Sequence, residues 1–338
     1  MVTHLALKTI TLAGILFITV LSPAAQSAEK LSKLIVGYSA ISFDQLPAWV
    51  AKETGLFTKN GLDAQLVYFT GGTTAVMALV SGDVSVSQNA GPEVANAFLG
   101  GSDPVLIAGG TVTLDYWLMS RADIKGPEQL RGGSVAISRF GSVSDFIARF
   151  AVQRIGLVPD KDVGIVQLGT TTDRLAALAA RRVEATVLNP PTMFIAQKSG
   201  LNLIADVSAL GLAFQHAGVA TSRRYILKHP DLVRRYIRSH VEAVHRLKTD
   251  RETGLRVAAK YFGTTRDKES MEKSYSRYIS EDKLPRKQYP TLEGIKTVLG
   301  TLAERDPKAR TIKPEDLVDV RFIRELDQSG FIDSLYTH

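Results

Sequence analysis

Cysteine is absent from this chain of 338 residues. Without a thiol there can be no disulfide, no thiolate nucleophile, no cysteine-bound metal cluster and no lipid-modified N-terminal cysteine. The 6 histidines form no pair with zinc-ligand spacing. A Gly-x-Ser-x-Gly elbow, a Walker phosphate loop and a zinc-binding helix are also missing. We therefore expect no cofactor, no metal and no catalytic residue, which favours a binding protein over an enzyme.

Long apolar runs are missing everywhere except near the N-terminus. Residues 10–21 are almost wholly apolar, and Pro23 ends this run just before the small residues Ala25 and Ser27. A run of this length is short for a bilayer and typical of a secretory leader. We predict a signal peptide over residues 1–27, cleaved after Ser27 or alternatively after Ala28, and a periplasmic mature protein. An uncleaved membrane anchor is the alternative.

Acidic residues are fewer than basic ones, so the chain carries a formal charge of +7 and a pI near 9.4. The basic side chains are distributed along the helical C-terminal third with acids between them, as on a solvated helix face. No stripe of basic and aromatic residues is present. Together with export, this pattern argues against a nucleic-acid partner.

A sequence phrase occurs twice, about one hundred residues apart. Residues 71–74 (Gly-Gly-Thr-Thr) follow an apolar run and precede a pattern of helical period, a Gly-Asp pair and a short apolar stretch. Residues 169–172 (Gly-Thr-Thr-Thr) have similar surroundings, with Arg182 in place of the Gly-Asp pair. Each copy reads as strand, glycine turn, helix and strand, and we expect Thr73 or Thr74 to cap the first helix. The repeat predicts two similar α/β lobes.

The remaining segments extend this pattern into a complete architecture. We predict a first lobe over residues 28–116, a second over 117–214, and a return to the first over 215–338 with several amphipathic helices. Each lobe is expected to be a mainly parallel sheet flanked by helices. Two strands that cross between the lobes, residues 113–121 and 217–221, are expected to form a hinge.

Several short sequence motifs, taken in their order along the chain, show a resemblance to a known family. They are residues 55–57 (Gly-Leu-Phe) with 61–62 (Gly-Leu), 71–74, 78–83 (Ala-Leu-Val-Ser-Gly-Asp), 123–132 and the tail 321–331. Over nearly the whole chain from residue 34 to 336, this order resembles periplasmic substrate-binding proteins of ATP-driven importers. The most similar group is the nitrate/sulfonate/taurine-binding and thiamine-pyrimidine-precursor-binding family. The resemblance implies a type II-like two-lobed fold that closes on a ligand by hinge motion and docks to an ABC permease.

Ligands of such folds lie at the carboxyl ends of parallel strands. We therefore place the candidate binding residues in the predicted turns after these strands, beginning with Ser39. In the first glycine turn, Gly72 would let the backbone approach the ligand, and Thr73 or Thr74 would contact it. Helix N-termini at these turns favour an anionic group such as a sulfonate or carboxylate.

The turn at residues 139–144 holds a cation at a strand end, Arg139. Its guanidinium could bind an oxyanion in a bidentate manner, or it could pair with Asp145 or bridge the lobes. In the same turn, Gly141 would allow close backbone approach. Ser142 would contribute a hydroxyl contact or cap the following helix.

The other candidates are amides, aromatic rings and one histidine. Amides can fix polar ligand edges, and aromatic rings can line a cleft or lie in the core. His216, at the return crossing, could serve the hinge or the pocket. The remaining candidates are Gln88, Asn89, Asn189, Phe43, Trp117 and Phe140, with Asn189 also able simply to shape its turn.

These features predict an exported monomer that captures a small, anionic organic solute and delivers it to an ABC-type permease in the inner membrane. Two rivals remain open at this point, an enzyme and a sensory module on the same scaffold. An enzyme of this fold would need an acid–base pair in the cleft, and no such pair is identifiable from the residue pattern.

Overall fold

The computed structural model describes residues 30–263, 267–280 and 282–337. The predicted signal peptide lies outside these residues. Leu31–His338 forms one compact unit. None of the helices in the described ranges is both long enough and apolar enough to cross a membrane.

The first sheet joins strands from both ends of the chain. In chain order its strands are β1 (Ser32–Tyr38), β2 (Leu62–Tyr68), β3 (Val86–Asn89), β4 (Pro104–Gly109) and, from the return segment, β10 (Gly218–Ser222). Their spatial order is β2-β1-β3-β10-β4. Strands β1, β2 and β3 pair in parallel, and β10 is antiparallel to both of its neighbours.

The second sheet repeats this arrangement with strands from the middle of the chain. Its strands are β5 (Trp117–Ser120), β6 (Ser134–Ile137), β7 (Gly164–Gln167), β8 (Ala185–Leu188) and β9 (Asn202–Asp206). Their spatial order is β7-β6-β8-β5-β9, and β5 is antiparallel to both of its neighbours, β8 and β9. The predicted α/β fold with two mainly parallel sheets is confirmed.

Helices flank both sheets, and most of those after β10 pack on the first lobe. Those before β10 are α1 (Leu46–Glu53), α2 (Leu56–Lys59), α3 (Gly72–Ser81), α4 (Gly91–Leu99), α5 (Val143–Arg154), α6 (Thr171–Ala179) and α7 (Thr192–Lys198). Those after it are α8 (Arg223–Lys228), α9 (Pro230–Thr249), α10 (Arg251–Phe262), α11 (Lys268–Tyr278), α12 (Leu292–Leu302), α13 (Arg321–Gln328) and α14 (Phe331–Ser334).

The core of the first lobe explains why the C-terminal helices return to it. Strand β4 is apolar along its length and buried throughout, so both faces of the sheet need a helical cover. Helix α9 places Tyr236 against Phe57 of α2, with ring centroids 5.5 Å apart. Ile323 of α13 and Ile332 of α14 enter the same core. The C-terminal helices therefore complete the first lobe.

Two antiparallel segments cross between the lobes. Thr113 and Ala213 form an isolated bridge, and the Phe214 N–H donates to Val112 O at 3.0 Å. The predicted crossing strand over residues 113–121 is shorter than expected, because β5 begins only at Trp117. This narrow connection leaves the two sheets facing one cleft.

One local prediction is wrong. Gly71, with φ of 90°, is the N-cap of α3, and no side chain caps that helix. The Thr74 hydroxyl instead donates back to Thr70 O at 3.2 Å. The N-terminus of α3 therefore has no side-chain cap on its first backbone N–H groups.

Candidate functional site

A cavity of about 270 Å³ lies between the lobes, where the carboxyl ends of the parallel strands meet. The turns after β1, β2, β3, β6 and β7 all contribute to its walls. The N-termini of α3, α5 and α6 point into the same space, so three helix dipoles place partial positive charge there. This geometry suits a small solute with a negatively charged group.

Arg174 is the cation of the cavity. It follows the second glycine turn on α6, and only 2% of the residue is exposed. Its guanidinium donates to Thr186 Oγ1 at 3.2 Å, Gly169 O at 3.1 Å, Val187 O at 3.2 Å and Thr171 Oγ1 at 3.4 Å. All four acceptors are neutral, and a guanidinium has five N–H donors. One donor therefore remains for the cavity.

The charge of Arg174 has no carboxylate partner within ion-pair distance among the described residues. Burial lowers the pKa of Arg174 from 12.5 to about 10, and the nearby Asp173 partly opposes this change. The guanidinium thus stays protonated at neutral pH. A buried cation without a counterion favours an anionic ligand, because the ligand would offset the loss of hydration.

Glu93 lines the cavity, and its carboxylate accepts hydrogen bonds from both lobes. Its carboxylate accepts from Ala90 N at 3.1 Å in α4's own first turn and from Val143 N at 2.8 Å in the second lobe. Burial raises the pKa of Glu93 from 4.5 to about 7, although these backbone donors favour the ionised form. A side chain at Gly72 would collide with this carboxylate, so glycine is required there.

The crossing segments bring a third group of polar residues to the cavity. His216 Nδ1 lies 3.5 Å from Asp44 Oδ1, which also accepts the Thr111 hydroxyl at 2.6 Å. The Tyr116 ring packs edge-on to His216, with centroids 5.2 Å apart, and burial raises the pKa of Tyr116 well above its ordinary value. These residues supply hydrogen-bonding groups at the hinge.

Aromatic rings close the first-lobe side of the cavity. Tyr261 and Phe262 of α10 and Tyr68 of β2 all line it. Tyr261 is held in place by stacking on Trp49 at 4.3 Å and by a hydrogen bond to Glu53 at 3.1 Å. These rings offer an apolar surface to the body of a small organic molecule.

The lobes also touch at the rim beside the cavity. The Thr73 hydroxyl donates to Phe140 O at 3.0 Å, and the Asn96 amide donates to Gly141 O at 3.1 Å. With the Glu93–Val143 bond, these contacts connect the two lobes beside the cavity.

The sequence matches the model of the NMT1-like family over residues 27–262. This match covers more than half of the chain. The chain belongs to the NMT1-like family.

Known relatives of this NMT1-like chain are distant in sequence and close in fold. YtlA of Bacillus subtilis, an inferred binding protein, is 21% identical over 89% of this chain and 94% of its own. A structure from Bordetella bronchiseptica has a TM-score of 0.77 at 19% identity and covers 89% of this chain and 98% of its own. The alkanesulfonate-binding protein SsuA of Xanthomonas axonopodis has a TM-score of 0.68 at 20% identity, over 85% and 96%. The fold is therefore that of periplasmic binding proteins.

The structure brings some predicted binding residues of this NMT1-like chain together at the cavity and places others elsewhere. Those that line the cavity are Ser39, Gly72, Asn89, Ser142 and His216. Ser142 also caps α5, accepting from Asp145 N at 3.4 Å. Whether these five bind a ligand stays a prediction.

Three of the other candidates lie in the packed interior. Phe43 packs on Phe262 with centroids 5.2 Å apart. The Gln88 amide donates to the Tyr236 hydroxyl at 2.7 Å. Trp117 packs edge-on to Phe194 in the second lobe. None of the three candidates lines the cavity.

The remaining candidates lie at its edges. Thr73, Phe140 and Gly141 belong to the contact between the lobes described above, and the exposed Thr74 faces away from the cavity. Asn189 is buried beside a small void next to the hinge.

Arg139, the expected anion ligand, is exposed and does not line the cavity. A Cβ at Gly71 would lie 3.1 Å from Arg139 Cγ, so its stem rests against the first lobe. The alternative pair with Asp145 is absent from the described residues, since Asp145 pairs with Arg149 at 2.7 Å. Arg139 is therefore placed as a contact between the lobes.

Residue patterns missed Arg174, Asp44, Glu93, Tyr116 and Tyr261. Arg174 had a usable signal, because it lies in the first turn after the second glycine motif, on the side of α6 that faces β8. The structure brings a carboxylate and an imidazole together in the cleft as a pair, with Asp44 Oδ1 3.5 Å from His216 Nδ1 and no hydrogen bond between them. Nothing local marked it, because 172 positions separate its members along the chain.

Proposed function

We propose that the protein is an extracytoplasmic solute-binding protein. It captures a small, anionic organic solute between its lobes and delivers it to an ABC-type permease in the inner membrane. The observation that carries this proposal is the buried guanidinium of Arg174, which lines the cleft with neutral hydrogen-bond partners. An anionic group would supply the missing counter-charge.

Three helix N-termini support the same ligand chemistry. Helices α3, α5 and α6 begin at the cavity, and the unpaired N–H groups of a first turn bind oxyanions such as carboxylates and sulfonates. The aromatic rings of Tyr68 and Tyr261 would pack on the organic part of the solute. A bare inorganic anion would leave this apolar surface unused.

Closure follows from the distribution of the binding groups over both lobes. Arg174 belongs to the second lobe, and Tyr261 and Asn89 belong to the first. A ligand that contacts both lobes binds the closed form more tightly than the open form and shifts the population toward closure. We infer that the permease recognises the closed surface. A periplasmic location and a non-enzymatic role are part of this proposal, supported by the family and the fold. We also propose that the protein is a monomer.

An enzyme is the second candidate, favoured by the Asp44–His216 pair in the cleft. Histidine oriented by a carboxylate is a common general base. The two functions differ in what happens to the solute: a binding protein returns it unchanged. Recovery of each binding compound by mass spectrometry after prolonged incubation therefore separates them.

The central experiment measures affinity by calorimetry for alkyl sulfonates, aliphatic and aromatic carboxylates, nitrate and pyrimidines. Wild type is compared with Arg174→Gln and with the matched control Arg139→Gln. We expect an organic anion to bind and Arg174→Gln to weaken it by about 10- to 100-fold, the worth of a charge-assisted contact. Arg139→Gln should leave the affinity within about threefold, as an exposed charge outside the cavity does.

Arg174→Lys is the second variant, because Arg174→Gln also removes interior hydrogen bonds. It keeps the charge and loses the planar fork, so we expect an intermediate affinity. Circular dichroism and melting curves check that each variant is folded. Tight binding of a neutral pyrimidine with no anion bound, or equal anion affinity in the folded Arg174→Gln and wild-type proteins, would contradict the proposal.

A further inference from the structure

Besides Arg174, the residues that line the cavity include buried hydrogen-bonding atoms that have no partner. Asn89 Oδ1, Gln45 Oε1 and His216 Nδ1 make no hydrogen bond with any residue of the described ranges. The three residues are 2%, 4% and 5% exposed, and all of them line the cavity. An unpaired buried polar atom destabilises the folded state, so natural proteins rarely keep several of them around one cavity.

The orientation of Asn89 identifies what its free atom can bind. Its amide nitrogen donates to Gly72 O at 2.9 Å, which leaves Oδ1 as an unpaired acceptor on a residue that lines the cavity. An acceptor can be completed only by a donor. This end of the cavity therefore calls for N–H or O–H groups on the ligand.

Asp44 adds a negative charge to the same end. Its carboxylate accepts from Thr111 and, at 3.3 Å, from the Ser42 hydroxyl. Lysine and arginine form no ion pair with Asp44 among the described residues, and His216 Nδ1 stands 3.5 Å away. A partly buried carboxylate with acceptors around it favours a donor that is a nitrogen group, and a cationic one most of all.

The two polar ends belong to different lobes. Asp44 follows β1 and Asn89 ends β3 in the first lobe, whereas Arg174 lies on α6 in the second. We propose that the solute is bipolar: its anionic group binds Arg174, and a nitrogen group with N–H donors at its other end binds Asp44, Asn89 and His216. This inference rests on the proposed function and narrows its substrate class to anions that also carry such a nitrogen group.

A bipolar solute also explains how closure depends on the ligand. Each end would engage one lobe, so a compound with only one end would bind one wall and leave the other incomplete. Because closure is favoured only by contacts to both lobes, the full molecule should stabilise the closed form more than either half. The cavity of about 270 Å³ restricts the solute to a small molecule.

The test compares compounds of similar length that differ only at the end remote from the carboxylate. Butyrate ends in a methyl group, 4-aminobutyrate in an ammonium group and succinamate in a neutral amide; propionate with β-alanine and valerate with 5-aminovalerate extend the series. Calorimetry on the wild-type protein should show at least about tenfold tighter binding for a nitrogen-bearing member, the worth of one hydrogen bond to a charged group. Preference for the ammonium over the amide would identify a cationic nitrogen, and the reverse a neutral one.

The variant Asp44→Asn tests whether Asp44 causes the preference for a nitrogen-bearing compound, and Asp63→Asn is the matched control. Asp63 is an exposed carboxylate on β2 of the same lobe and lies outside the cavity. Asp44→Asn should abolish most of the preference for 4-aminobutyrate while leaving butyrate affinity unchanged, and Asp63→Asn should change neither. The comparison on wild type needs no variant and decides the question even if Asp44→Asn is unstable.

Two failures can be told apart. Equal or tighter binding of the methyl-ended members, with affinity still dependent on Arg174, would overturn the bipolar solute and leave anion binding intact. Binding of none of these compounds and of no anion in the wider panel would overturn both proposals.

Discussion

The two lobes present a similar helix N-terminus to the cleft in two chemical forms. In the first lobe, Gly71 begins α3 without a side-chain cap, and the buried Glu93 carboxylate fills the space next to Gly72. In the second, Thr170 caps α6 and forms a reciprocal capping box with Asp173. A shared backbone motif thus supports an acidic wall in one lobe and the cationic wall of Arg174 in the other. The repeated glycine turn places a helix N-terminus of each lobe at the cleft, and the side chains beside each copy determine the charge that the cleft favours in a ligand.

The largest expected effect concerns the acid of the first lobe. Glu93 has a folded-state pKa of about 7 against 4.5 when exposed, so the folded protein holds this proton more tightly than the unfolded one. Its contribution to stability is therefore full below pH 4.5 and is lost as the pH rises to 7 and beyond. The total change is about 3 kcal/mol by the conversion of pKa differences into free energy.

Urea unfolding at a series of pH values measures this loss, with Glu93→Gln as the non-titrating reference. The difference in unfolding free energy between wild type and variant should fall across the window from 4.5 to 7. Parallel pH profiles for the two proteins would show that Glu93 titrates normally.

The next largest effect is expected from substitutions at the first residues of α3 and α6, which occupy equivalent positions in the two lobes. Gly72→Ala forces a methyl group against the Glu93 carboxylate and should cost about 1–3 kcal/mol, as overpacking of an interior does. Thr171→Ala, at the matching position of α6, removes atoms from a half-exposed site and should cost less than about 1 kcal/mol. Thermal and urea unfolding measure both, and similar losses would mean that the walls are packed alike.

A smaller effect tests the capping box found in the second lobe alone. Thr170→Ala removes the hydroxyl that accepts from Asp173 N at 3.1 Å, and losing an N-cap typically costs about 1 kcal/mol. Thr74→Ala is the control in the first lobe, because its hydroxyl only donates back to Thr70 O; it should change stability by less than about 0.5 kcal/mol. If urea titrations give the two variants equal stability, the difference in capping has no energetic weight.

The smallest effect lies at the exposed edge between the lobes. Lys198 of α7 pairs with Asp267 at 3.0 Å and Glu269 at 2.8 Å, but its side chain is 48% exposed. Exposed ion pairs contribute about 0–1 kcal/mol and are screened by salt. Lys198→Gln should therefore lower the free energy of unfolding slightly in dilute buffer and leave it unchanged in about 0.5 M salt. A loss that persists in salt would show that this pair holds the lobes together.

Much of the fold was predictable because its signals are local. The apolar run of β4, the glycine turns before α3 and α6 and the proline that opens α9 each report the backbone state of a few neighbouring residues. The crossing strand was predicted to begin too early, because strand pairing with β8 and β9 begins only at Trp117 and nothing in the local sequence marks that position.

The site was less predictable, because a cavity collects residues that are distant along the chain. Arg139 and Arg174 both lie beside glycine-containing turns of the second lobe, so their positions along the chain are similar. Arg174 extends from the first turn of α6 toward β8, where Thr186 Oγ1 and Val187 O hold its guanidinium. Arg139 lies in the loop that meets the first lobe and stays exposed.

Composition and periodicity were sufficient to establish an α/β chain without thiol chemistry, with a repeated motif that places helix N-termini at strand ends. These properties depend on the conformation of neighbouring residues, which the local sequence largely controls. Tertiary structure alone decided which cation faces the cleft, that Asp44 meets His216, and that Glu93 is buried against Val143 of the other lobe. Direction, burial and counter-charge depend on how the two lobes pack, because water is excluded only where distant segments meet.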